Sequence, residues 1–142
     1  MIHHSWPATL DSLTSIQDYI QHHVVLAGIH AKQAFSIQLI VEEVIVNIIS
    51  HAYRNTDPGI ITIGIEFSGD TVSISFSDTG PPFDPLGATP PDITEGINER
   101  SVGGLGILMV TQMADGIEYH RCDNKNILTV MINMMAASSS RR

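Results

Sequence analysis

The sequence predicts an α+β protein, a two-layer α/β sandwich in which helices cover one face of a mixed, mostly antiparallel sheet. Three observations carry that expectation. Two long segments before residue 55 place apolar residues at helical spacing. Two later segments, "IITIGIEF" and "TVSISFSD", alternate apolar and polar residues as half-buried strands do. The order helix, helix, strand, strand, loop, helix, strand, strand leaves the helices no surface to bury against except such a sheet.

The elements follow in order. Residues 2–6 allow a short first strand. Leu10, Leu13, Ile16, Ile20 and Val24 lie on one helical face, with Thr9 or Asp11 near the start and Gly28 at the end. A second helix is expected from about Lys32 to Arg54, stopped by "NTDPG". "Ser68-Gly69-Asp70" separates the two alternating segments as a hairpin turn. From Asp78 to Val102 regular periodicity vanishes, and Pro81, Pro82, Pro85, Pro90 and Pro91 fall there. A loop of that length inside a compact domain is usually a lid or a binding loop. "GLGILMVTQM", from Gly104, reads as a helix, and "GIEYH" and "NILTVMIN" read as two more strands. The whole chain, 1–142, reads as a single domain with a frayed tail from about residue 136.

Composition narrows the function. The chain has 142 residues, 43% hydrophobic and 15% charged, which suits a globular domain. A net charge of -8 argues against a nucleic-acid binder and weakly favours basic partners. One cysteine, Cys122, allows no internal disulfide, which suits a reducing, cytoplasmic setting. The N-terminus lacks the pattern of a secretory signal, and no membrane-spanning stretch is expected. The pairs His3-His4 and His22-His23 read as solvated side chains rather than metal ligands.

Three stretches carry chemistry. In "LIVEEVIVNIISHAY", Glu43, Asn47 and His51 fall at successive i, i+4 steps and so share one stripe of the second helix. A polar stripe is ordinarily a solvent face. This one is narrow, flanked by Val41, Val44, Ile45, Val46, Ile48 and Ile49, so it should line a cleft. In "SDTGPPFDP", Asp78 ends a strand, where its carboxylate can accept a hydrogen bond from an exocyclic amine, and Gly80 permits a close approach. Read alone it is a turn with an aspartate cap. In "SVGGLGILMV", Gly103, Gly104 and Gly106 open a helix whose N–H groups suit phosphate, although alone the stretch is equally a hinge.

Taken together, the three resemble the Bergerat-type (GHKL) ATP-binding superfamily, which includes gyrase, histidine kinases and MutL. "EEVIVNIISHAY", "DTGPPFDP" and "GGLGI" look most like the anti-sigma-factor serine/threonine kinases within it. The resemblance spans roughly residues 8–134. It implies the histidine kinase-like ATPase fold and an ATP- and Mg²⁺-dependent kinase that phosphorylates an antagonist protein and regulates a sigma factor. Asn47 would hold Mg²⁺ and Glu43 would be the catalytic base. Asp78 would accept the adenine amine, with Gly80 allowing the contact. Gly103, Gly104 and Gly106 would wrap the phosphates, Arg100 would reach them, and Thr129 would add a contact near adenine. His51 is either a packing or a contact residue. The lid holds no lysine, which leaves the phosphate charge to Mg²⁺, Arg100 and backbone N–H groups. A homodimer through the first helix is a further expectation. The alternatives are a non-catalytic, nucleotide-gated binding module and a stand-alone histidine kinase catalytic domain acting in trans.

Overall fold

The computed structural model describes residues 2–52, 59–87 and 104–134. The chain runs β1 (Ile2–Pro7), a 3₁₀ turn (Leu10–Ser12), α1 (Leu13–Leu26), α2 (Ala31–Ala52), β2 (Ile60–Ser68) and β3 (Thr71–Asp78). It continues through α3 (Gly104–Met113) to β4 (Gly116–Cys122) and β5 (Lys125–Asn133). The strands form one sheet in the order β1-β2-β3-β5-β4. Every pairing among them is antiparallel. The expected two-layer sandwich is therefore present, and the sheet is antiparallel throughout its described strands.

The turns show why the elements end where they do. Gly28 adopts φ 72 after α1, a left-handed conformation open to glycine. Its N–H donates to Val25 O at 3.0 Å and that of Ile29 to Val24 O at 3.2 Å, closing the helix end as a Schellman motif. Gly69 (φ 59) is the first of the two residues joining β2 to β3, as a type II′ hairpin requires. Asp123 and Asn124, with φ 52 and 62, join β4 to β5 in the doubly left-handed type I′ manner.

The core lies between α1 and α2 and the inner face of the sheet. Ile16, Ile20 and Val24 of α1 meet Ile37, Ile40, Val41, Val44 and Ile45 of α2 there. The sheet contributes Ile61, Ile63 and Ile65 from β2 and Val72, Ile74 and Phe76 from β3. Val130 and Ile132 add the contribution of β5. Ile16 and Ile20 are 0% exposed, so the face of α1 expected to mediate a homodimer is consumed by the core. Of the five residues on that face only Leu10, ahead of the helix, is exposed, at 61%.

One other expectation changes. Ala31–Ser50 of α2 has a mean hydropathy of 1.4 and is long and apolar enough to cross a membrane by length and composition, contrary to the expected absence of such a stretch. Its apolar residues serve the core instead: α1, α3 and the sheet pack against it, and Ile37, Ile40, Val41, Val44 and Ile45 are buried there. In the histidine pairs His3, His4 and His22 are exposed, as solvated side chains should be, while the tilted His4 ring lies 4.4 Å from that of Trp6 and the half-buried His23 meets Tyr19 edge-on at 4.7 Å. These rings fasten α1 to the edge strand β1, and burial pushes the Tyr19 hydroxyl above its ordinary pKa.

Candidate functional site

β3 ends at Asp78, whose Oδ1 accepts from Gly80 N at 2.9 Å in a local turn, and Pro81 and Pro82 follow without N–H groups. Asp78 lies on the inner face of the sheet, paired with Ile61 of β2 on one side and Asn126 of β5 on the other. β4 extends the row, with Arg121 opposite Asn126. α2 crosses this face and presents Asn47. Asn47 and Asp78 are each 4% exposed, and both line one narrow cleft with apolar walls. Val44 and Ile48 of α2, Phe76, Phe83, Pro85, Tyr119 and Leu128 supply the walls. A wider hollow between the α1–α2 turn and the β2–β3 hairpin contains none of the expected site residues.

Asp78 is held in a dense network. Its Oδ1 accepts from Gly80 N at 2.9 Å and from Asn126 Nδ2 at 3.0 Å. Neither bond uses Oδ2, which leaves an acceptor for a ligand amine. Burial raises the Asp78 pKa above the usual carboxylate value, and the Asn126 bond, the Gly80 N–H and the Arg121 charge oppose that rise.

α3 meets α2 at Glu43. A Cβ placed on Gly106 would collide with the Glu43 carboxylate, 2.8 Å from its Cδ. The glycine at 106 therefore lets the first turn of α3 lie directly against Glu43. Glu43 sits one turn before Asn47 on the same helix, so the base candidate and the amide share a stripe, as the spacing implied.

The expected residues thus divide. Asn47 and Asp78 meet at the cleft, Gly80 bonds to Asp78 behind it, and Gly106 lies against Glu43. Gly104 begins α3. Arg100 and Gly103 lie outside the described residues, as does the His51 side chain. Thr129 is not brought to the cleft. It pairs with Ser75 and Glu118, on the sheet face opposite Phe76, Asp78 and Asn126. The period of two along β5 gives the inner face to Asn126, Leu128 and Val130, and Asn126 is the β5 residue beside Asp78. Asn126, Tyr119 and Arg121 were absent from the sequence expectation. Counting outward from the Asp123-Asn124 turn would have set Arg121 opposite Asn126, but only the β3–β5 pairing places them beside Asp78.

An antiparallel sheet under helices, with an amide and a carboxylate facing one cleft and a glycine-opened helix beside them, defines a GHKL-type ATPase domain. The chain belongs to the histidine kinase-like ATPase domain family, whose model matches residues 6–132. It is similar to the serine/threonine-protein kinase BtrW of Bordetella bronchiseptica, at 25% identity over 122 residues and 86% of each chain. It is also similar to the serine-protein kinase RsbW of Listeria monocytogenes, at 27% identity over 121 residues and 76% of each. Among solved structures, the RsbU and RsbW domains of Rv1364c from Mycobacterium tuberculosis superpose with a TM-score of 0.66 at 15% identity. That match covers 94% of this chain and 32% of the other. A blue-light activated histidine kinase from Erythrobacter litoralis gives 0.57 at 19% identity, covering 78% and 33%. This chain thus spans about a third of either solved chain, and these two likenesses concern the fold alone.

Proposed function

We propose that this protein is an ATP-dependent protein serine/threonine kinase of the anti-sigma-factor type, working in the cytoplasm on a small antagonist protein and binding a sigma factor. The observation that carries this reading is the convergence of Asn47 and Asp78 on one cleft, with Glu43 pressed against the first turn of α3. A domain that only bound nucleotide would need no carboxylate at that point. The kinase names of BtrW and RsbW support the same reading.

The residues fit ATP at both ends. Asp78 Oδ2 accepts from the adenine amine, which guanine lacks at that position. Asn47 offers a hard amide oxygen to Mg²⁺, an ion that takes few protein ligands and completes its shell with phosphate oxygens and water. Gly103, Gly104 and Gly106 present backbone N–H groups to the phosphates, and Arg100 adds positive charge. Mg²⁺ supplies neutralisation of phosphate charge during transfer. The Glu43 carboxylate takes the proton of the acceptor hydroxyl while that oxygen bonds to the γ-phosphorus. The bond to the bridging oxygen breaks, and its electron pair leaves with ADP.

Incubation with γ-labelled ATP and candidate antagonist proteins, followed by acid treatment, tests the proposal. Acid-stable label on serine or threonine is expected. Acid-labile label would indicate a histidine kinase domain, and ATP binding without transfer a nucleotide-gated module.

A further inference from the structure

The loop that follows Asp78 passes through Pro81 and Pro82, which lack the N–H groups that would extend the β3 ladder. A side chain from β5 holds this part of it. Asn126, 5% exposed, donates through Nδ2 to Asp78 Oδ1 at 3.0 Å and to Pro81 O at 2.9 Å. Its Oδ1 accepts from Phe83 N at 3.2 Å, Tyr119 OH at 2.5 Å and Arg121 Nη1 at 3.2 Å. Arg121 also donates to Gly80 O at 2.8 Å. Three donors on one end of the amide and two acceptors at the other leave a single orientation of the side chain.

We propose that Asn126, locked by Tyr119 and Arg121, is the positioning residue that makes this site selective for adenine over guanine, a proposal that rests on the nucleotide-binding reading above. It acts through Asp78. Two donors on Oδ1 stop the carboxylate from rotating and direct Oδ2 to the ligand. They also favour the ionised form, which accepts from an adenine amine and repels a guanine carbonyl. A protonated Asp78 would instead donate to that carbonyl, so the amide guards discrimination as well as affinity. The other groups around Asp78 do not supply this function. α2 contributes Val44, Asn47 and Ile48, none of which titrates, and β2 places Ile61 beside it. Arg121 and Tyr119 of β4 are the titratable neighbours among the described residues, and both bond to Asn126.

The test is equilibrium binding of ATP, GTP and inorganic tripolyphosphate across a pH series running from the ordinary aspartate value of 3.8 up to neutrality. Wild-type protein and Asn126→Ala are compared, with circular dichroism melts on both. Asn126→Ala should weaken ATP roughly 10- to 100-fold, the scale of hydrogen bonds to a charged group. It should lower the ATP-to-GTP affinity ratio and move the acid limb of ATP binding to higher pH. Tripolyphosphate binding should not change, whereas general damage to the fold would weaken all three ligands alike. If Asn126→Ala fails to fold, Tyr119→Phe removes only one bond to the amide and should shift the ratio and the acid limb in the same direction. An unchanged ratio and acid limb in the folded variant would overturn the role of Asn126 and leave the kinase reading standing. A wild type that binds no ATP would overturn both.

Discussion

Gly106 of α3 faces the Glu43 carboxylate of α2 at a separation that a methyl group cannot share, its Cβ falling 2.8 Å from Glu43 Cδ. The glycine is thus a spacer between two helices as well as a source of backbone N–H groups. What lies opposite it is the far end of a flexible side chain, which can swing aside.

That distinction makes Gly106→Ala informative. Alanine is the better helix former by about 1 kcal/mol, enough to offset much of the rearrangement. The melting temperature should therefore stay close to that of the wild type. The carboxylate, however, must leave its place. Phosphoryl transfer to the protein substrate should fall about tenfold or more, the lower part of the range for a displaced general base. A labelled-ATP assay alongside a thermal melt checks both halves. Normal transfer in a folded variant would detach Glu43 from the chemistry.

Asp78→Asn separates recognition from folding. The amide oxygen of asparagine can still accept from Gly80 N and Asn126 Nδ2, so the strand end and its loop remain held. The second position becomes an N–H donor facing the adenine amine. Circular dichroism should show an intact fold, and calorimetry should show ATP binding weakened about tenfold or more, as expected for losing a charge-assisted bond.

The same aspartate sets a pH dependence. Its folded pKa is raised, chiefly by burial, above the ordinary value of 3.8. ATP binding needs the carboxylate and should begin to weaken on acidification at a higher pH than an exposed aspartate would dictate. Folding stability moves the opposite way. A raised folded pKa means that the native state binds the proton more tightly than the unfolded chain. Its contribution is full below 3.8 and lost as pH rises through the folded pKa. Denaturant titrations across that window should show this slope in the wild type and not in Asp78→Asn.

The face of α1 supplies a test of assembly against packing. Ile20 is 0% exposed and lies within the core cluster. Ile20→Ala should cost about 2–5 kcal/mol of stability, as large-to-small changes in a packed core do. Its light-scattering mass should equal that of the wild type under conditions where both are folded. A changed oligomeric state without loss of stability would return this face to an interface.

How much of this was legible beforehand follows from the range of the interactions. Local signals carried the helices, the Gly28 stop and the Gly69 hairpin, because periodicity, capping and left-handed φ operate within a few residues. The stripe of Glu43 and Asn47 was readable for the same reason: one helix sets their spacing. Asn126 went unnoticed because its place beside Asp78 depends on which strand lies next to β3. β5 is 47 residues further along from the end of one strand to the start of the other (78 to 125) and pairs with β3 ahead of β4. No local pattern encodes that order. The apolar character of α2 was visible, but its meaning as a core helix depends on α1, α3 and the sheet surrounding it.

Glu43 and Asn47 provide the sharpest separation of binding from chemistry. They stand one turn apart, yet their proposed partners differ. Asn47 is 4% exposed inside the cleft, and under the proposed mechanism it would hold Mg²⁺ against the phosphates, a contact needed whenever nucleotide is bound. Glu43 acts on the acceptor hydroxyl, which is missing when ATP binds alone. Glu43→Ala should therefore leave Mg-ATP affinity near the wild-type value and reduce transfer by about 10²-fold or more, the usual scale for a general base. Asn47→Ala should weaken Mg-ATP binding and transfer together, and raising Mg²⁺ should recover part of the loss. Calorimetry with Mg-ATP and single-turnover transfer to the antagonist protein give the two numbers for each variant. A Glu43→Ala protein that transfers phosphate at the wild-type rate would end its assignment as the base. An Asn47→Ala protein with unaltered dependence on Mg²⁺ would move the metal elsewhere.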